Sequence, residues 1–170
     1  MFDPTVFENL KVVAEGAMYD RDLEGEILIT NRKDVIDLAT MSRTYSASFI
    51  IRKVPHISAC FTLTADCRNL ANEILEVPSF LPGCSLELTF FLSISTPEKD
   101  CPRIENVMQS IWGKERMITQ TISYEYNKQA VSYDNTVTVS FQKAITEDHV
   151  DDLPAVIDYA IETLYKLQQN

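Results

Sequence analysis

The sequence predicts a single α+β domain over residues 1–170, with a mainly antiparallel sheet of about six strands and helices on one face. Two observations predict this fold class. Several segments alternate apolar and polar residues with a period of two, which is typical of antiparallel strands that have one solvated face. Two long segments, residues 4–19 and 148–167, instead space their apolar residues as amphipathic helices do. We therefore expect these two helices to pack on the apolar face of the sheet.

The first helix is predicted from a start signal and from its apolar pattern. Asp3 caps the first backbone N–H groups of a helix, and Pro4 lacks an N–H that would be unpaired there. Apolar residues then recur at every third or fourth position: Phe7, Leu10, Val13, Ala14, Ala17 and Met18. An acidic turn follows this helix.

Strands and shorter helices alternate through the middle of the chain. The predicted strands are Glu26–Thr30, Tyr45–Lys53, Ile57–Ala65, Leu86–Ile94, Arg116–Tyr126 and Val131–Lys143. The predicted helices are Asp34–Ser42, Asp66–Glu76 and Cys101–Trp112. The order strand, helix, two strands, helix then occurs twice, on either side of the loop Val77–Cys84, and predicts a weak internal β-α-β-β-α pseudo-repeat. The alternative hypothesis is a chance alternation, because no residue motif recurs.

The last helix, Glu147–Leu167, is predicted from a wide apolar stripe. Its acidic residues are concentrated at its start, where the helix dipole favours negative charge. Pro154 divides it into a short first turn and a main helix that begins near Leu153.

Composition limits the partners and the compartment that we expect. The chain has 25 acidic and 15 basic residues and a net charge of −10, which disfavours nucleic acid and anionic membranes as partners. Its first residues do not resemble a signal peptide, and its apolar stretches are too interrupted to span a membrane. The four cysteines lack C-x-x-C spacing, so we expect reduced, mostly buried thiols in the cytosol and no metal site: Cys60, Cys67, Cys84 and Cys101.

Residues 20–31 resemble the first part of a calcium-binding loop. Asp20–Gly25 nearly matches the pattern D-x-D-x-D-G, and Ile27 stands where such loops have an aliphatic residue. The match ends at the twelfth position, where Asn31 replaces the bidentate glutamate. An acidic helix-to-strand turn is the simpler interpretation, and a calcium-responsive module is the third hypothesis for function.

Few residues are suited to catalysis. Cys67 lies at the first turn of a predicted helix, where the dipole can activate a thiol. His56 is predicted in a hairpin loop and His149 in the first turn of the last helix, neither within a known nucleophile arrangement. The four glycines are isolated, which excludes the common phosphate-binding loops and their nucleotide cofactors. A small enzyme or thiol-redox protein that uses Cys67 or a histidine is therefore the alternative hypothesis.

Aromatic residues indicate a binding function more strongly than these residues indicate catalysis. We expect four of them to lie on paired strands, where they pack together or line a groove between the sheet and the last helix: Tyr124, Tyr126, Tyr133 and Phe141. Trp112 closes a predicted helix. Phe91 points from the polar face of its strand, and we expect the helix 101–112 to cover it. The alternative is that Phe91 is exposed for a partner.

These observations predict a cytosolic, non-enzymatic binding or protein-interaction domain. The hypotheses for its partner are another protein, a second copy of the chain in a homodimer, and a small apolar ligand. The sequence indicates no cofactor, and it identifies no catalytic, cofactor-binding or metal-binding residue.

Overall fold

The computed structural model describes residues 5–76, 79–126 and 132–168. Within these residues, six strands form one antiparallel sheet in the order β1-β2-β3-β4-β6-β5. The strands are β1 Ile27–Asp37, β2 Ser42–Ile51, β3 Val54–Ala65, β4 Ser85–Ile94, β5 Met117–Ser123 and β6 Tyr133–Ser140. The predicted α+β class with a mainly antiparallel sheet is confirmed.

Three of the helices cover one face of this sheet. The helices are α1 Thr5–Leu23, α2 Cys67–Ile74, α3 Pro97–Trp112 and α4 Leu153–Gln168, with a 3-10 helix at Glu147–Asp152. Helix α4 contacts α1, α3, β2 and β3, while α1 contacts β1 and β3, and α3 contacts β5. The predicted packing of the first and last helices on one face is therefore confirmed. None of the described helices is both long and apolar enough to cross a membrane.

The core lies between these helices and the sheet. Alternate residues of β3, from Ile57 to Ala65, are buried toward the helices, while the residues between them reach the opposite face. Helices α1 and α4 supply the other side of the core, with fully buried side chains such as Phe7, Leu10 and Ile157. Burial of each large apolar side chain stabilises the fold by roughly 1.5–3 kcal/mol.

The predicted helix Asp34–Ser42 is wrong. Asp34 and its neighbours complete β1 and pair with β2, and residues 38–41 form the turn between the two strands. The Asp37 carboxylate accepts the backbone N–H of Ala39 at 2.8 Å, a local bond that stabilises the turn. Three strands therefore follow one another without a helix, and the predicted β-α-β-β-α pseudo-repeat is wrong as well.

The boundaries of the other helices and strands differ less from the predicted ones. Helix α3 begins at Pro97, ahead of the predicted Cys101, because Pro97 stands at its first turn and the Asp100 carboxylate accepts the backbone N–H of Thr96 at 2.9 Å. The division of the last helix before Leu153 is confirmed. The predicted start at residues 3–4, part of the loop 77–84 and the start of the strand 131–143 lie outside the described residues.

Candidate interaction face and groove

The face of the sheet opposite the helices, which we call the open face, is rich in hydroxyl side chains. Its residues alternate with the buried ones along each strand, and they are partly or fully exposed. They include Thr44, Ser46, Ser48, Ile50, Ser58, Cys60, Thr62, Thr64, Thr89, Phe91, Thr119, Thr121, Thr136 and Thr138. Most of these side chains are small.

Charge is low at the centre of the open face. From Thr44 to Ile50 on β2, and from Ser58 to Thr64 on β3, the outward side chains are uncharged. Charges occur toward the ends of the next pair of strands, where Glu87 of β4 lies opposite Ser140 and Asp134 of β6 lies opposite Ser93. An uncharged centre with charge at the edge is typical of protein interfaces.

Phe91 is the large aromatic side chain at the centre of this face. It is 44% exposed, and its neighbours across the sheet are Ser58 on β3 and Thr136 on β6. A shallow hollow of about 410 Å³ adjoins its ring and is also lined by Pro55 and His56. An exposed ring and a hollow therefore lie side by side on one surface.

The expectation that helix 101–112 covers Phe91 is wrong. This helix, α3, packs on the opposite face, where Ile104 and Met108 are buried in the core. Its apolar stripe packs there against α4 and the inner side of β5. The sequence pattern of α3 predicts an apolar partner, but it does not specify which face of the sheet provides it.

A groove of about 620 Å³ lies between the end of α3, the segment that follows β6 and the start of α4. Trp112 and Phe141 line it with edge-to-face rings whose centroids are 6.1 Å apart. The indole N–H of Trp112 donates to the Thr163 hydroxyl at 3.1 Å, and its ring packs edge-on against Tyr159. The groove therefore has a fixed aromatic wall.

Two cations line the same groove. The guanidinium of Arg116 lies 4.4 Å from the centroid of the Phe141 ring, and Lys143 is exposed nearby. Neither forms an ion pair within the described parts of the chain, although ion pairs hold many other cations: Lys11, Arg21, Arg32, Arg43, Arg52, Arg103 and Lys166. Sequence reasoning missed these two residues. For Arg116 the available signal was its closeness to Lys114 in an acidic chain, and no such signal marks Lys143.

The four aromatic residues predicted to lie together separate into two places. Tyr124 and Tyr133 form an edge-to-face pair with centroids 5.7 Å apart, and Tyr126 is 85% exposed. Phe141 instead packs with Trp112, on the side of the molecule that faces the last helix. The groove exists at the predicted place, but only Phe141 of the four lines it.

Three carboxylates of the calcium-like segment, those of Asp22, Glu24 and Glu26, pair with cations of the chain. Asp20 and Asp22 lie in the last turn of α1, and the Asp22 carboxylate accepts the backbone N–H of Ile29 at 3.0 Å and pairs with Arg52. Arg21 contacts the Glu24 carboxylate at 3.1 Å. Within the described residues no three acidic, histidine or cysteine side chains are placed to hold a metal ion. This geometry supports the helix-to-strand turn.

The candidate catalytic residues lie on three different elements. Cys67 is exposed at the start of α2, His56 is exposed in β3, and His149 is in the 3-10 helix. Nδ1 of His149 accepts the backbone N–H of Thr146 at 3.2 Å, so this ring caps its own helix. Since β3 begins at Val54, His56 lies in a strand rather than in the predicted loop.

The cysteines are all free thiols, and their burial varies. Cys84 is buried, Cys60 and Cys101 are partly buried, and Cys67 is exposed. Burial raises the pKa of the Cys84 thiol to about 12. The expectation of mostly buried thiols is wrong for Cys67, because its position at the first turn of α2 leaves its side chain in solvent.

A charged cluster that the sequence did not reveal lies between α1 and the β1–β2 hairpin. Arg43 donates two hydrogen bonds to Asp34, at 2.9 and 2.8 Å, and its guanidinium lies 4.9 Å from the centroid of the Phe7 ring. Lys11 adds a contact to Asp34 at 3.0 Å. The guanidinium of Arg43, followed by Lys11, lowers the pKa of Asp34 from 3.8 to about 2 despite partial desolvation.

The chain matches no family model, no curated protein and no solved structure.

Proposed function

We propose that this chain is a non-enzymatic interaction domain that associates through the open face with a second copy of itself. The main support is the combination of an exposed Phe91, an adjoining hollow and the uncharged outward side chains of the neighbouring strands β2 and β3. In a two-fold symmetric dimer both partners use the same patch, so the patch must complement itself. A protruding ring beside a hollow on one surface satisfies that condition.

Charge also favours this surface over others for self-association. Two copies with a net charge of −10 each repel one another, and this repulsion is weakest where charged side chains are distant from the contact. The outward side chains of β2 and β3 meet this requirement, while Glu87 and Asp134, which lines the hollow, carry the charge that β4 and β6 place on this face. Apolar contact by Phe91 and hydrogen bonds between hydroxyl groups then provide the attraction.

The size of the face is adequate for a dimer. Six strands, about 4.8 Å apart and with about seven paired residues of roughly 3.3 Å each, cover roughly 650 Å². Two copies would bury roughly 1,300 Å², which is within the range of about 1,200–2,000 Å² for specific complexes.

We also propose that the chain resides in a reducing compartment such as the cytosol. Four free cysteines, of which Cys67 is exposed, support it because disulfides form readily in oxidising compartments. The acidic composition supports protein partners rather than nucleic acid or anionic membranes.

Sedimentation equilibrium tests the proposal on the whole chain. We expect a reversible monomer–dimer equilibrium between about 1 and 100 µM, because interfaces of this size commonly reach micromolar affinity. Phe91→Ala should weaken dimerisation about tenfold or more, since central aromatic side chains provide much of the binding energy of an interface. Thr138→Glu should weaken it further by placing two like charges at the centre.

Leu23→Ala is the matched control. Leu23 is 86% exposed at the end of α1, on the helical side of the molecule, so its truncation should change the dimer dissociation constant less than twofold. Because Phe91 is half exposed, Phe91→Ala should reduce the free energy of unfolding of the monomer by only about 1 kcal/mol. A monomeric wild type throughout the concentration range, or equal dissociation constants for wild type and Phe91→Ala, would overturn the proposal.

A further inference from the structure

The groove beside Trp112 has the dimensions of a small-molecule site. Its volume of about 620 Å³ lies within the range of roughly 300–1,000 Å³ that is usual for ligand pockets. It is bounded by three segments that are distant in sequence: the end of α3, the residues after β6 and the start of α4. It lies at the edge of the core, away from the centre of the open face around Phe91.

The interior of the groove is apolar. The walls are formed by Trp112 and Phe141, together with Ile145, Leu153 and Val156. The hydrogen bond to Thr163 and the contact with Tyr159 fix the indole ring of Trp112. A fixed apolar wall favours binding of a ring or an alkyl chain, because little side-chain freedom is lost when the ligand binds.

The charged side chains of the groove indicate which polar group a ligand with an apolar body would carry. Arg116 and Lys143 line it without an ion-pair partner within the described residues, and Lys114 is exposed beside them. Glu115 and Asp152 also line the groove, and they disfavour a ligand with several negative charges. One carboxylate fits this arrangement best, because a guanidinium and an ammonium can both donate to its two oxygens.

We propose that this groove binds a small monocarboxylic acid with an apolar body. The body contacts Trp112 and Phe141, and the carboxylate contacts Arg116 and Lys143. This site is separate from the surface proposed for self-association, so each proposal can fail without the other.

Fluorescence of the tryptophan provides a direct assay, because Trp112 is the single tryptophan of the chain. Octanoate is the probe, octan-1-ol has the same alkyl chain without the charge, and acetate has the charge without the chain. We expect a saturable change of Trp112 emission with octanoate, no change with acetate, and affinity for octan-1-ol about tenfold or more below that for octanoate.

Variants separate the apolar part of the site from the charged part. The double variant Arg116→Gln with Lys143→Gln should reduce octanoate affinity about tenfold or more and leave octan-1-ol affinity within twofold. Lys53→Gln, at an exposed lysine that lines neither this groove nor its edges, is the matched control and should bind octanoate as the wild type does. Circular dichroism of each variant verifies that the fold is intact.

Two results would overturn the inference. The first is the lack of any saturable emission change with octanoate up to about 10 mM. The second is equal affinity for octanoate and octan-1-ol together with no effect of the double variant. The first would show that the groove does not bind such ligands, and the second that its cations play no part in binding.

Discussion

Asp34 shows how one residue joins a helix to the edge of the sheet. Its carboxylate lies between Arg43 of β2 and Lys11 of α1, at 2.8 to 3.0 Å. The Arg43 guanidinium in turn lies over the Phe7 ring in the core, so loss of the carboxylate affects charge and packing together. The pattern of β1 did not reveal this contact, because ion pairs between different elements leave no signal in the pattern of a single segment.

The lowered pKa of Asp34 makes stability depend on pH. A carboxyl group with a pKa of about 2 in the folded protein, compared with 3.8 ordinarily, stabilises the fold above about pH 4 and loses this effect as the pH falls toward 2. Asp34→Asn should therefore reduce the free energy of unfolding by about 1 kcal/mol at pH 6. The difference from wild type should shrink as the pH falls to about 2.5.

Urea denaturation at several pH values measures this difference. Asp20→Asn is the control, because the exposed Asp20 side chain forms no ion pair within the described residues. If the effect of Asp34→Asn were constant between pH 6 and 2.5, the pKa of Asp34 could not be lowered in the folded protein.

At the scale of elements, the β1–β2 hairpin shows what a sequence pattern can and cannot specify. The alternation in β3 and β4 predicts both strands closely, because each has one buried and one solvated face. Residues 34–42 combine apolar side chains with a capping Asp37, and the same signals occur in short helices and in tight turns. Pairing of β1 with β2 decides in favour of the strand, and the residue pattern of a single segment does not specify this pairing.

The turn of this hairpin contains a strained residue. Met41 has a φ of 53°, in the left-handed region where a side chain costs roughly 1–2 kcal/mol. Met41→Gly should raise the free energy of unfolding by up to about 1 kcal/mol, since relief of strain exceeds the added entropy of the unfolded chain. Ala39→Gly in the same turn relieves no such strain and should lower it by about 0.5–1 kcal/mol.

Thermal denaturation of the two glycine variants compares them directly. A lower melting temperature for both would show that Met41 does not adopt the left-handed conformation. A higher melting temperature for Met41→Gly alone would support the observed turn.

The candidate site was also predicted only in part. The sequence indicated a groove between the sheet and the last helix, and Trp112 and Phe141 do line one there. It did not indicate Arg116 and Lys143, because the lack of an ion-pair partner is visible only in three dimensions. The expected cover over Phe91 was wrong for a similar reason, since the amphipathic pattern of α3 does not specify which face of the sheet the helix packs on.

At the scale of the whole molecule, the two faces of the sheet differ in chemistry. One face is apolar and is covered by α1, α3 and α4, while the other presents hydroxyl groups around Phe91. Charged side chains are abundant in the chain, but the outward side chains of β2 from Thr44 to Ile50 and of β3 from Ser58 to Thr64 are uncharged. This distribution is the basis for the proposal that two copies meet there.

Two natural cysteines allow the central claim to be tested without adding a thiol to the chain. Cys60 lies on the open face, opposite Thr89 on the neighbouring strand, whereas Cys67 is exposed on α2. Alkylation of each thiol by iodoacetamide, followed by mass spectrometry, should be measured in the wild type between about 1 and 100 µM protein. We expect the rate constant for Cys60 to fall as the concentration rises and that for Cys67 to stay constant. In Thr138→Glu both should stay constant. A Cys60 rate constant that does not change with concentration in the wild type would contradict association through the open face.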